Sequence, residues 1–121
     1  MSLRFTVEHR ARFAVVRADG DPTLDEFLSY LTQLGVQSRQ WPVPRLLADL
    51  RGIRSLTAFT EHYAVGEAVG RHLAHLKQVA SVVPADRITH ASEKTAQRAG
   101  VNIAVFTSEA DAIGWLTSTD T

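Results

Sequence analysis

The stretch Leu46-Leu47-Ala48-Asp49-Leu50 is apolar at every position but one, and it stands between Pro42 and Pro44 on one side and the charged sequence Arg51-Gly52-Ile53-Arg54 on the other. A strand with one wet face alternates polar and apolar residues, so a near-continuous run predicts a strand covered on both faces, at the centre of a sheet. A long helix-type pattern follows it. Open α/β sheets place ligand crevices beyond the carboxyl ends of their strands, which makes Arg45 to Thr57, and above all its loop from Asp49 onward, the place to look for function.

The rest of the chain supplies neighbours for that strand. Leu3, Phe5 and Val7 alternate with Arg4, Thr6 and Glu8 as in a half-buried strand, and a second strand is predicted from Arg12 to Ala18. The short gap at Arg10-Ala11 makes the two an antiparallel hairpin. Asp19-Gly20-Asp21-Pro22 reads as a turn into a helix capped either by Asp21 or by Thr23 with Glu26. Leu24, Phe27, Leu28, Leu31 and Leu34 form its apolar stripe, and Gly35 is its expected stop. Gln37 to Pro44 then leads to the central strand.

Beyond the loop, a helix is predicted over Ala58 to Leu76, with Ala58, His62, Val65, Val69, Leu73 and Leu76 on one face and Thr60, Glu67 and Arg71 opposite. Val79 to Val83 is a third interior-type strand ended by Pro84. A short helix over Thr89 to Ala99, a strand over Val101 to Phe106 and a last helix opened by Ser108 and Asp111 follow. That last helix presents Ala112, Trp115 and Leu116, and Thr117 to Thr121 is expected to fray. The order ββαβαβαβα predicts an α/β fold with a mixed five-stranded sheet and four helices, the hairpin supplying an antiparallel edge and the later strands running parallel. With 121 residues and no linker or repeat, residues 1–121 are expected to form one domain.

Composition narrows the function classes. Thirteen basic residues balance thirteen acidic ones, so no global field favours nucleic acid as a partner. The chain has no Cys, which removes disulfides, thiol nucleophiles and Cys-ligated zinc and fits a cytoplasmic protein. Charges run through the first ten residues and no apolar run is long enough to cross a bilayer, so neither an export signal nor membrane insertion is expected. G-x-S-x-G, H-E-x-x-H and a Gly-rich phosphate loop are all missing, which lowers the expectation of an enzyme; no cofactor is expected either.

Several residues admit both a functional and an ordinary role. Arg51 and Arg54 beside a helix N-terminus would suit a phosphate or carboxylate, while Ser55 or Thr57 serves equally as a cap and Asp49 as an ion-pair partner for the arginines. His62 lies in the apolar stripe, either as a core histidine or as a group coupled to Asp49 or a ligand. His72 and His75 are three apart but lack a third ligand at convincing spacing, so no metal site is expected. Gly66 and Gly70 signal either close packing on the sheet or room for a ligand or partner helix. Trp41 and Trp115 are core fillers or exposed anchors, Trp41 being the candidate for a dimer contact.

The order of elements, Asp49-Leu50-Arg51-Gly52 at the end of the central strand, and the closing Val105-Phe106-Thr107-Ser108-Glu109-Ala110-Asp111-Ala112-Ile113-Gly114-Trp115-Leu116 resemble the SpoIIAA-like branch of the STAS fold. The resemblance spans nearly the whole chain through short motifs. It implies binding or regulation more than catalysis, since related domains include bacterial anti-sigma-factor antagonists, stand-alone domains of unassigned activity, and binders of lipids or other apolar ligands. In the antagonists a Ser at the start of the helix after the central strand, usually beside an Asp, is phosphorylated by a partner kinase. Ser55 is the positional counterpart here and Thr57 the next, with Arg54 where the acid would stand.

The resulting expectation is a non-enzymatic regulatory domain that binds a partner protein or its own copy through Asp49, Arg51, Arg54, Ser55, Thr57 and His62. The alternative is a small-molecule binder, for an apolar or anionic ligand, with its pocket between the central strand and the second helix. A third option is an enzyme that uses His62 and Asp49.

Overall fold

The computed structural model describes residues 3–54, 63–84 and 91–118. Five strands form one sheet in the order of the chain: β1 (Leu3–His9), β2 (Ala14–Gly20), β3 (Arg45–Ile53), β4 (Gln78–Val82) and β5 (Ile103–Phe106). β1 is antiparallel to β2, and every later pair is parallel. The predicted centre is therefore the observed centre, and the hairpin is the antiparallel edge. Four helices are found among the described residues: α1 (Leu24–Ser38), α2 (Tyr63–Leu73), α3 (Ala91–Arg98) and α4 (Glu109–Ser118).

Because each parallel strand is laid down beside the last, right-handed crossovers put α1, α2 and α3 on the same face. There Phe27, Tyr30, Leu31 and Leu34 of α1 and Val65, Val69 and Leu73 of α2 share one core cluster with Val16, Leu46, Ala48, Leu50 and Val79 of the sheet. The opposite face is covered by α4, whose Ala112 and Leu116 are wholly buried against Val15, Leu47, Ala80 and Val82. β3 thus contributes Leu46 and Ala48 to one layer and Leu47 to the other, which is why its sequence does not alternate. Each Leu so buried contributes about 1.5–3 kcal/mol.

Some boundaries differ from the sequence reading for physical reasons. Thr23 is the cap of α1, its Oγ1 accepting from the Glu26 amide while Glu26 Oε1 accepts from the Thr23 amide. Gly35 does not stop this helix, which runs on to Ser38; a Cβ there would lie 2.7 Å from His72 Cβ, so the glycine serves the approach of α2. Asp19 and Gly20 belong to β2, with Gly20 at φ 124°, and the strand is entered at Ala14. α2 ends at Leu73, short of the expected Leu76. β4 and β5 begin at Gln78 and Ile103. Thr117 is helical: its hydroxyl donates to the Ile113 carbonyl at 2.8 Å. No helix among the described residues is long and apolar enough to cross a membrane.

Candidate functional site

At the carboxyl half of β3 the regular pairing with β2 slips. Arg17 faces Asp49 across the ladder, but Asp19 faces Gly52, so β3 carries one extra residue there. Such a bulge shifts the in-and-out alternation. Arg51 shares the α4 face with Asp49 by ordinary alternation, whereas Ile53, two residues on and past the slip, is buried in the core cluster on the opposite face. Gly52 is required at this point because a Cβ would meet the Asp19 Cβ at 2.7 Å. The Asp-Leu-Arg-Gly sequence therefore places an arginine beside the aspartate on one face and lets the bulge at Gly52 return Ile53 to the core.

The arginine closes a four-residue ion network. Arg51 donates from Nε to Asp49 Oδ1 and from Nη2 to Asp49 Oδ2, both at 2.9 Å, and its amide reaches Oδ1 at 3.2 Å. Arg17 Nη1 donates to Asp49 Oδ2 and to Glu109 Oε1, each at 2.7 Å, and Arg51 Nη2 donates to the same Glu109 oxygen at 3.0 Å. Two cations and two carboxylates thus compensate one another. Burial pushes the Asp49 carboxyl up, yet the hydrogen bonds from Arg51 and Arg17 outweigh it and hold the group below its ordinary value. Glu109 is held low chiefly by its hydrogen bond from Arg17. The guanidinium groups of Arg17 and Arg51 are raised mainly by their carboxylate hydrogen bonds, Arg17 to Glu109 first and Arg51 to Asp49.

Glu109 opens α4, where its charge also suits the helix dipole, so the network pins that helix to the centre of the sheet. The other end of α4 is tied as well. Buried Arg45 donates to Gln78 Oε1 at 2.8 Å, and Gln78 Nε2 donates to the Trp115 carbonyl at 3.4 Å.

Of the residues singled out by sequence, Asp49 and Arg51 are brought into direct contact. Arg54 is exposed just past the end of β3, with its amide donating to the Gly20 carbonyl at 2.9 Å. Ser55, Thr57 and His62 lie outside the described residues. His72 Nε2 lies 3.3 Å from Thr32 Oγ1, and His75 Nε2 lies 2.8 Å from Ser38 Oγ. Among the described residues no cluster of potential ligands could hold a metal ion. Gly70 is the point where α2 meets the residue just past α3, for a Cβ there would collide with that of Ala99. Trp41 is half-buried beside the core and stacks edge-on with His9, and Trp115 packs on Phe106.

Arg17 and Glu109 were not singled out by sequence. The signal lay in the pattern: a charged residue in the apolar run of β2 and another in that of β3, each of which needs a partner once buried.

The helical layer encloses a second feature. An apolar cavity of about 70 Å³ lies between α1, α2 and the sheet, lined by Tyr30, Leu34, Ala48, Leu50, Val65 and Val69 among others. The Tyr30 hydroxyl is buried with no hydrogen-bond partner among the described residues, and burial pushes its pKa well up.

A sheet of this order, with three helices on one face and a clamped C-terminal helix on the other, defines an α/β domain of the STAS type. A family model described as SpoIIAA-like matches residues 13–117, and the chain belongs to that family. Among solved structures, the crystal structure of an anti-sigma factor antagonist from Mycobacterium paratuberculosis is similar in fold, with a TM-score of 0.62 and 15% identity over 95% of this chain and 94% of that one. A search of curated proteins gives no match.

Proposed function

We propose that this chain is a non-enzymatic regulatory domain that binds a partner protein through the surface at the carboxyl end of β3 and the start of the following helix. The observation that carries the reading is the ion network. It fixes Asp49 and Arg51 against α4 at the end of the central strand, directly before exposed Arg54. Membership of the SpoIIAA-like family and the fold shared with an anti-sigma factor antagonist support the same class of role. In this reading Arg54 is a direct contact, Ser55 and Thr57 are the residues a partner kinase would modify, and His62 contributes to partner binding. The domain comprises the whole of residues 1–121 and works in the cytoplasm.

Native mass spectrometry of the protein purified from its own host tests this directly. A second polypeptide bound to the wild type, and lost in Arg54→Glu, is the expected result. A phosphate adduct that maps to Ser55 or Thr57 would add the regulatory step. Recovery of the same complex from Arg54→Glu would remove the loop from the interface.

The cavity favours a second reading, a domain that holds an apolar small molecule between β3 and α2. Its lining is apolar and the Tyr30 hydroxyl offers one polar contact. Ligand pockets typically span roughly 300–1,000 Å³, so the space of about 70 Å³ would have to open by movement of α1 or α2. A retained small-molecule mass in the same native spectrum is the expected sign of this reading.

A further inference from the structure

Among the described residues β1 is an edge strand, and its sequence is complementary to itself. The Arg10 amide closes the hairpin on the Phe13 carbonyl at 2.9 Å. Since antiparallel strands bond through alternate residues, Arg4, Thr6 and Glu8 direct their backbone groups toward β2, and Leu3, Phe5, Val7 and His9 direct theirs to the open edge. An edge left unpaired among the described residues is a template for another strand. Arg4 and Glu8 lie on the outer face, equally far from Thr6 and of opposite charge.

From this symmetry we infer that two copies of the chain pair β1 to β1 in antiparallel fashion about a two-fold axis at Thr6, joining their sheets into one. In that register Arg4 of each copy faces Glu8 of the other, Thr6 faces Thr6, and on the helix face Phe5 packs on Val7. Opposite charges, paired threonines and an aromatic against a β-branched residue are the cross-strand pairs that stabilise sheets. The residues with outward backbone groups also meet one another, so the ladder closes without a bulge. Sliding by one step in either direction removes the match: centred on Phe5, Arg4 faces Thr6, and centred on Val7, Arg4 faces Arg10. Only one register that keeps the two faces of the strand aligned pairs Arg4 with an acid.

Within one chain Arg4 Nε lies 3.4 Å from Asp19 and Glu8 is bonded to Arg10, both at exposed positions where such pairs contribute little. The arrangement leaves Arg4 between two carboxylates and Glu8 between two guanidinium groups in the dimer. His9, stacked on Trp41, comes opposite Leu3 of the second copy, which brings the Trp41 corner to the rim of the contact. The surface is the sheet edge and not the loop after β3, so this inference and the proposed function stand or fall separately.

Sedimentation velocity on the wild type, on Arg4→Glu, on Glu8→Arg and on an equimolar mixture of the two variants is the test. The wild type is expected to dimerise at micromolar concentration. Each single variant, which sets like charges opposite each other twice, should weaken the dimer about tenfold or more. The mixture should recover it, since every cross-strand pair is then again opposite in charge. Hydrogen exchange on the wild type alone gives an independent measure: the Phe5 and Val7 amides should become protected as concentration rises. A wild type that stays monomeric, single variants that dimerise as it does, or a mixture that fails to associate would each overturn the inference.

Discussion

Arg17 in β2 and Glu109 in the first turn of α4, 92 positions apart in the chain, meet at 2.7 Å. The contact joins the only helix found on its face of the sheet, among the described residues, to β2, whose Val15 is also buried beneath α4. Because the same Arg17 nitrogen also donates to Asp49, and Arg51 bonds both acids, each charge has two oppositely charged neighbours. The Arg17 side chain is 41% exposed, so solvent screening keeps the pair modest. A double-mutant cycle with Arg17→Met and Glu109→Gln, read from urea unfolding, should give a coupling of about 0.5–1 kcal/mol. Asp49→Asn, at the centre of the network and only 11% exposed on its side chain, should cost more, about 2–3 kcal/mol, because it leaves two arginines facing one carboxylate.

The same network sets a pH dependence. Asp49 and Glu109 have carboxyl groups held below their unfolded values, so the unfolded chain binds more protons in the acid range. Their contribution is present in full above the unfolded carboxylate range, at about pH 5 and higher, and is lost as pH falls through the folded values. The urea midpoint should therefore fall between about pH 5 and pH 3, and the fall should be shallower in Glu109→Gln. Equal slopes for the two proteins would mean that Glu109 is not linked to folding.

Three helical glycines separate packing from propensity. Replacing Gly by Ala inside a helix ordinarily stabilises by about 0.5–1 kcal/mol, and Gly114→Ala should do so because nothing lies within 4 Å of the added Cβ. Gly35→Ala and Gly70→Ala should instead destabilise by about 1–3 kcal/mol, since the new methyl would strike His72 in one case and Ala99 in the other. Thermal or urea unfolding of the three variants reads the contrast directly.

These glycines also show where sequence stops being legible. Apolar periodicity located β3, the hairpin and the helical stripes, because burial on one face or two leaves a local imprint that needs no knowledge of the partner. Gly35 looks like a helix stop by the same local logic, yet its reason is His72, 37 residues along the chain. Asp49 and Arg51 stood out as charges at the end of an apolar strand and share a face by alternation, but that Ile53 returns to the core depends on the bulge at Gly52, where Asp19 approaches closely. Arg17 and Glu109 enter only through three-dimensional register. The parts of the site that were legible are those whose cause is near in sequence.

Tyr30 gives the most direct probe of the cavity. Its ring is held by Phe5 and Phe27, with centroids at 5.1 and 5.6 Å, so the side chain is fixed while its hydroxyl stays without a partner among the described residues. A buried hydroxyl without a bond costs about 1–3 kcal/mol relative to solvation in water. Tyr30→Phe keeps the ring and removes that cost, and it should leave the ligand-free protein as stable as the wild type or up to about 1 kcal/mol more so. A clear loss of stability on urea unfolding would mean that the hydroxyl is satisfied in solution, by an enclosed water or by a bound molecule. Repeating the native mass spectrum on Tyr30→Phe then separates the two, because loss of a retained small molecule together with the hydroxyl would place that molecule against Tyr30.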